Sequence, residues 1–107
     1  MAKKIKILAL RPLEKPVVEE IEDSLEAMQK FVGGYIQSVP VGDGLDMILD
    51  EEGKLKGKPY NRSLFDGQDV AVGDVFITKV NSNGNSVSLT QSDIDKYMQK
   101  DVMVFSL

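Results

Sequence analysis

The chain has 107 residues, of which 42% are hydrophobic and 28% are charged, a balance typical of one globular domain, which we expect to span residues 1–107. It contains no cysteine and no histidine, which excludes disulfides, thiolate zinc sites and catalysis by either residue type. The net charge of -4 argues against direct nucleic-acid binding, because phosphates are neutralised by an excess of lysine and arginine.

The N-terminal third predicts a strand hairpin followed by a helix. Residues 4–10 alternate as a strand does, two prolines interrupt them, and residues 17–21 return as a second strand at a sheet edge. Asp23 and Glu26 have the spacing of a capping box, and Gly33-Gly34 ends the helix. The apolar residues at helical spacing, which we expect to pack on a sheet, are Leu25, Met28, Phe31 and Val32.

The lysine-rich start superficially resembles a signal peptide. The apolar run at positions 7–10 is too short for the core of a signal peptide, and no stretch approaches the roughly 20 apolar residues of a membrane helix. We therefore expect a cytoplasmic protein without membrane contact.

The next segment predicts a second hairpin. Residues 35–41 and 45–50 have strand patterns, and Gly42-Asp43-Gly44 between them has the composition of a tight turn. Alternation along the second strand predicts one buried face and one solvated, acidic face. The predicted buried face holds Leu45, Met47 and Leu49, and the predicted solvated face holds Asp46, Ile48 and Asp50.

The second half predicts a core strand and a second helix. Residues 54–65 suggest an ordered loop or one helical turn, and residues 69–80 return to strand character, with a core strand after the turn at Gly73-Asp74. Thr90-Gln91-Ser92-Asp93 is a capping-box pattern for a helix over about 91–100. Its predicted inward residues are Ile94, Tyr97 and Met98.

The C-terminal residues 102–105 are apolar and β-prone, so we expect them to pair with the sheet or with another subunit of a homo-oligomer. Since each apolar stripe must be covered, the elements together predict an α+β fold. We expect a curved, mainly antiparallel sheet of about five or six strands with two helices packed on it.

Two clusters are candidate sites. The acidic turn Asp50-Glu51-Glu52 could hold a hard cation or an acid/base pair, but it lacks the spacing of an EF-hand loop and charged turns are usually solvated. Adjacent residues in a strand-like segment also point to opposite faces. A carboxylate-based hydrolase using Glu51 and Glu52 is therefore our last-ranked hypothesis, and we predict no metal and no cofactor.

The second cluster is Asn61-Arg62, which follows several lysines. The planar fork of Arg62 suits a phosphate or carboxylate, and Asn61 can recognise an amide or a base edge. The alternative is structural: Arg62 pairs with a carboxylate such as Glu51 or Glu52, and Asn61 holds its own loop. The residues of the hypothetical ligand site are Asn61, Arg62, Tyr60, Lys58, Lys54, Glu51 and Glu52.

The order of these features resembles a family of small uncharacterised domains from bacteria, phages and mobile elements, with recurring Asn-Glu-Glu and Pro-Asn-Arg motifs. Here Asp50 replaces the first Asn and Tyr60 replaces the Pro, whereas Glu51, Glu52, Asn61 and Arg62 match. The resemblance covers most of the chain and brings no known activity. It implies that the two clusters are coupled, either in an ion-pair network or around a ligand.

Phage and mobile-element context favours a non-enzymatic counter-defence inhibitor that blocks a bacterial immune component. We expect the contact surface to be acidic, because charge attraction speeds and selects an encounter. Its predicted residues are Glu19, Glu20, Glu22, Asp46 and Asp50. The alternative hypothesis is a sponge protein that sequesters an anionic, cyclic nucleotide through Asn61 and Arg62, with Tyr60 or Phe65 stacking on the base.

Overall fold

The computed structural model describes the backbone of residues 3–105 and the side chains of residues 3–65 and 67–100. The described residues form two helices and eight strands, and a short 3-10 helix covers Phe65–Gly67. The strands are β1 Lys4–Leu10, β2 Val17–Glu22, β3 Ile36–Gly42, β4 Leu45–Asp50, β5 Tyr60–Leu64, β6 Asp69–Val72, β7 Val75–Val80 and β8 Ser86–Val87; the helices are α1 Leu25–Val32 and α2 Gln91–Phe105.

The main sheet is open and antiparallel throughout. Its strand order is β2-β1-β7-β4-β3, with β8 paired to β7, and β5 and β6 form a separate two-stranded sheet. The predicted α+β class, the two helices and the six-stranded antiparallel sheet are confirmed. The predicted edge position of β2 is confirmed as well.

Both faces of the main sheet are covered, so the domain has three layers. On one face α1 packs, with Met28 and Val32, against Ile5, Ile48 and Phe76. On the other face α2 and the β5–β6 sheet cover a second core cluster. This cluster contains Leu8, Leu10, Leu45, Met47, Leu64, Ala71, Val75, Ile77, Leu89, Ile94 and Tyr97. The central strands β1, β4 and β7 therefore contribute to both cores.

The prediction that one face of β4 is solvated is wrong, because both faces of the main sheet are covered. Ile48 and Asp50 lie on the face that α1 covers, and both are buried, at 5% and 3% exposure. An alternating pattern predicts a solvated face only where one side of a sheet remains open. Asp50 therefore belongs to the interior and not to a contact surface.

The two helix starts differ in how well they were predicted. The capping box of α2 is confirmed, since Thr90 N–H donates to Asp93 Oδ2 at 2.8 Å and Asp93 N–H donates to Thr90 Oγ1 at 3.1 Å. In α1 the N-cap is Ser24, whose Oγ accepts from Ala27 N–H at 3.1 Å, so the predicted pairing of Asp23 with Glu26 is wrong.

Three further expectations are corrected. Leu25, at the first position of α1, is 58% exposed and does not pack on the sheet. Residues 60–64 form strand β5, not a loop. Residues 102–105 continue α2 and do not form a strand. Within the described residues, no helix is long and apolar enough to cross a membrane.

Candidate functional site

The acidic turn begins with a buried carboxylate that organises its surroundings. The Asp50 side chain is 1% exposed, and its Oδ2 lies 2.8 Å from Lys56 Nζ and 2.7 Å from Lys58 Nζ. Its Oδ1 accepts the Glu52 backbone N–H at 2.9 Å. Burial alone would raise the pKa of Asp50, but the hydrogen bonds from Lys56, Lys58 and Glu52 outweigh it and hold that pKa well below its usual range.

The same two lysines complete the end of α1. Lys58 donates to the Val32 carbonyl at 2.6 Å, and Lys56 donates to the Gly33 carbonyl at 3.1 Å. These carbonyls belong to the last turn of a helix, where they lack intrahelical partners and where positive charge is favourable. Asp50, Lys56 and Lys58 thus join the end of β4 to the end of α1, and we call them the Asp50 network.

Gly34 lets the chain approach this network closely. A Cβ at Gly34 would stand 2.6 Å from both Asp50 Oδ1 and Lys56 Nζ. Gly33, by contrast, adopts the left-handed conformation that ends the helix, with φ 81°. The two adjacent glycines therefore serve different purposes, and only Gly33 was predicted correctly from the rule for helix ends.

Asn61 is a buried residue whose side chain forms hydrogen bonds to other parts of the fold. It is 5% exposed, and its Nδ2 donates to the carbonyls of Leu10 at 2.9 Å and Gly73 at 2.7 Å, while its Oδ1 accepts from Arg62 Nε at 2.8 Å. Leu10 is in β1, so this side chain ties the small sheet to the main sheet. Asn61 was predicted to hold its own loop, but it instead connects the β5–β6 sheet to strand β1 of the main sheet.

A β-bulge buries two neighbouring residues of β5 together. Tyr60 pairs with Val72 and Arg62 pairs with Ala71, so two residues of β5 oppose one of β6. A bulge of this kind redirects side chains that would otherwise alternate. Asn61 and Arg62 are consequently both buried, at 5% and 4% exposure.

The remaining residues of the hypothetical ligand site do not converge on one place, because they have separate partners or face solvent. Lys54 pairs with Asp69, with Nζ 2.5 Å from Oδ1, and the hydroxyl of Tyr60 lies 3.0 Å from that of Ser63. Glu51 and Glu52 are exposed, and neither forms an ion pair within the described residues. Among the described residues, the two glutamates offered as example partners of Arg62 are thus not placed in an ion pair.

Two small depressions border the acidic turn. One, of about 230 Å³, contains Glu52 and Lys56, and the other, of about 170 Å³, contains Glu51 and Lys54. Both are smaller than the roughly 300 Å³ at which small-molecule sites begin. In the part of the chain that the structure describes, no three acidic side chains converge as metal ligands.

The predicted acidic contact surface is divided. Glu20 and Glu22 are exposed on the edge strand β2. Asp46 is half-buried on β4, where it accepts the Ser38 hydroxyl at 2.6 Å. Since β4 lies three strands away from β2, about 14 Å at ordinary strand spacing, Asp46 does not extend the surface at β2.

Glu19 is engaged on the α1 side of the sheet. Its carboxylate receives two hydrogen bonds from the Arg11 guanidinium, at 2.6 and 3.1 Å, and these bonds lower the pKa of Glu19. The guanidinium carbon of Arg11 also lies 5.1 Å from the ring centre of Phe31. Of the predicted contact residues, Glu20 and Glu22 are thus the two that are exposed on β2.

The sequence reasoning missed the role of Lys56 and of the buried Asp50. A signal was available in the alternate spacing of Lys54, Lys56 and Lys58 just after an acidic strand end. Lys58 binds Asp50, and its stem also lies close to Gly73, because a Cβ at Gly73 would stand 2.7 Å from it. The carbonyl of Gly73 accepts a hydrogen bond from Asn61.

Comparison with known proteins identifies a family but no activity. Residues 5–101 match the family described as "Domain of unknown function (DUF3846)". No curated protein and no solved structure shows significant similarity to the chain. The predicted membership of an uncharacterised small-domain family is confirmed, whereas a phage or mobile-element origin stays a prediction. The chain belongs to the DUF3846 family of domains of unknown function.

Proposed function

We propose that this domain is a non-enzymatic binding protein that blocks a partner protein through the acidic edge of its main sheet. The observation that carries the proposal is the exposed edge strand β2, on which Glu20 and Glu22 face solvent. Within the described residues, neither glutamate has an ion-pair partner within 4 Å. Both carboxylates therefore remain accessible to another molecule, although Lys6 and Lys4 lie opposite them on β1.

The other notable carboxylates are already used inside the fold. Asp50 holds Lys56 and Lys58, and Asp93 caps α2 while pairing with Lys79 at 3.1 Å. Buried, paired charges of this kind support structure and give no surface for recognition. This contrast supports β2 as the place of contact.

We propose a bacterial defence protein with a basic surface as the partner. The basic character follows from charge complementarity, which mainly raises the association rate and selects among partners. The defence role rests on the resemblance to domains of phages and mobile elements. Blocking by occupation requires no catalytic group in the inhibitor, and the chain contains neither histidine nor cysteine.

The nucleotide-sequestering alternative stays a prediction with less support. Asn61 and Arg62 are buried, and the two depressions near the acidic turn are small for a nucleotide. Native mass spectrometry of the purified protein tests it directly. A retained nucleotide, absent from an Arg62→Ala variant that remains folded, would replace our proposal.

The experiment is a phage-plating assay on bacteria that each carry one defence system. Expression of the domain is expected to restore plating against the system whose component it blocks. The double variant Glu20→Lys/Glu22→Lys should lose this effect. The matched control Glu51→Lys/Glu52→Lys reverses the same number of exposed charges away from β2 and should keep it.

Two results would contradict the proposal. If no defence system is relieved by the wild-type domain, the defence partner is wrong. If the β2 variant relieves a system as well as the control does, the contact surface is wrong. Circular dichroism on both variants ensures that neither loss is due to unfolding.

A further inference from the structure

The two edges of the main sheet differ in whether they can accept another strand. On β3, Pro40 has no N–H to donate, and the pairing register shifts between Pro40 and Gly42. The Val41 carbonyl also lies 3.5 Å from Lys100 Nζ. Prolines, bulges and lysines are the devices that close sheet edges, so β3 is a closed edge.

The edge at β2 has no proline, bulge or lysine, and its charged side chains are all acidic. All six of its residues pair with β1 in a regular antiparallel register without a shift, and no proline lies inside Val17–Glu22. Among the described residues, no side chain donates to or accepts from the outward backbone groups of residues 17–21. A regular strand in this state is a template for an added strand.

The charges of β1 and β2 alternate across the pair. Lys4 lies directly opposite Glu22, and Lys6 lies directly opposite Glu20. Side chains opposite each other on one face interact, and opposite charges there are stabilising. A strand added beyond β2 would extend the alternation if it placed basic residues opposite Glu20 and Glu22.

The third residue on this face adds an apolar position. Val18 shares a face with Glu20 and Glu22, because residues two apart on a strand point the same way. It is 45% exposed, so a partner side chain can cover it. On the opposite face of β2, Glu19 is already held by Arg11, which leaves the face of Val18 to set specificity.

A second copy of the chain fits this edge poorly. Antiparallel pairing of two β2 strands centred on Glu20 would put Glu20 opposite its own equivalent, and pairing centred on Glu19 would do the same for Glu19. Like charges directly opposite each other destabilise a strand pair. The acidic residues thus oppose self-association at an edge that remains open to a basic strand.

We propose that β2 recognises an extended, basic segment of its partner by adding it to the main sheet as an antiparallel strand. The segment carries two basic residues at alternate positions opposite Glu22 and Glu20, followed by an apolar residue opposite Val18. This inference rests on the proposed function and deepens it by naming the recognised element. Backbone hydrogen bonds supply affinity, and the three alternate side chains supply specificity.

The test uses a fluorescent peptide, Thr-Lys-Thr-Lys-Thr-Val-Thr, and fluorescence anisotropy at low salt, where surface charges are least screened. A control of the same composition has its two lysines at adjacent positions, so that they point to opposite faces of a strand. Two further peptides carry N-methyl groups on alternate residues, one on the odd and one on the even positions, which blocks hydrogen bonding along one edge each.

The parent peptide should bind, and one N-methylated peptide should bind at least about tenfold more weakly while the other is unaffected. The adjacent-lysine control and the Glu20→Gln/Glu22→Gln variant should also reduce binding. Hydrogen exchange should slow in residues 17–22 but not in residues 36–42 when the parent peptide is present.

The outcomes separate this inference from the proposed function. Equal binding of all N-methylated peptides overturns strand addition, as does protection of residues 36–42 in place of residues 17–22. If no peptide binds but Glu20→Lys/Glu22→Lys still abolishes the effect on phage plating, strand addition is wrong and the proposed function stands. If no peptide binds and that variant is fully active, both are wrong.

Discussion

Replacing Asp50 by asparagine removes the one charge that holds both Lys56 and Lys58 at the end of α1. Hydrogen bonds to charged groups contribute about 1.5–3 kcal/mol each. The Lys58 side chain is 21% exposed and keeps most of that contribution, whereas Lys56 is 40% exposed and solvent screening reduces its share to below about 1 kcal/mol. We therefore expect Asp50→Asn to lower the free energy of unfolding by about 3 kcal/mol.

Urea unfolding followed by far-UV circular dichroism measures this change, since the chain has no tryptophan. Asp46→Asn is the matched control, because Asp46 is in the same strand, is only half-buried and has no ion-pair partner among the described residues. It should cost less than about 1 kcal/mol. A loss below about 1 kcal/mol for Asp50→Asn as well would show that the Asp50 network is not a structural element.

The same network predicts the dependence of stability on pH. Because the folded-state pKa of Asp50 lies well below its unfolded value, its contribution is complete above the unfolded pKa of about 3.9 and is lost as the pH falls toward the folded pKa. Wild type should therefore lose stability below about pH 4 more steeply than Asp50→Asn. Parallel curves for the two proteins between pH 2 and 6 would refute the assignment.

Two substitutions test packing directly, each by thermal and urea unfolding. Gly34→Ala should destabilise the domain by about 2 kcal/mol, because its Cβ would meet the Asp50 carboxylate. The control Gly57→Ala, at a position with open space but φ 69°, should cost only about 1 kcal/mol of backbone strain. A loss of stability at Gly34 that is equal to or smaller than the loss at Gly57 would contradict the close approach. Thr78→Val should stabilise by about 1 kcal/mol, because Thr78 is fully buried and its Oγ1 has no hydrogen-bond partner among the described residues. Destabilisation at Thr78 would indicate a hydrogen bond that the geometry does not reveal.

The elements that the sequence predicted well are those with local causes. The capping box of Thr90 and Asp93 involves residues three apart, so its hydrogen bonds form wherever α2 packs. The hairpin at Gly42-Asp43-Gly44 follows from three residues that adopt positive φ in succession. The strands around these signals, and with them the α+β class, could be predicted because their alternation is a property of the strand itself.

The candidate site depended on contacts between distant parts of the chain. Whether Asp50 faces solvent or the interior was decided by α1 covering the second face of the sheet, which no pattern within β4 reveals. The bulge in β5 buried Asn61 and Arg62 together against the alternation rule. Burial of polar groups is tolerated only where partners are present, and these partners, Leu10, Gly73 and Lys58, come from separate segments.

The acidic residues of β2 show what the sequence determines and what the tertiary structure determines. The sequence predicted a strand over residues 17–21 and an acidic contact surface that includes Glu19, Glu20 and Glu22. Tertiary structure placed that strand at an open sheet edge, engaged Glu19 with Arg11, and left Glu20 and Glu22 exposed. The sequence by itself determined the local elements and their charges, because these depend on neighbouring residues; the availability of each charge depends on which layers cover it, and only the packed fold decided that.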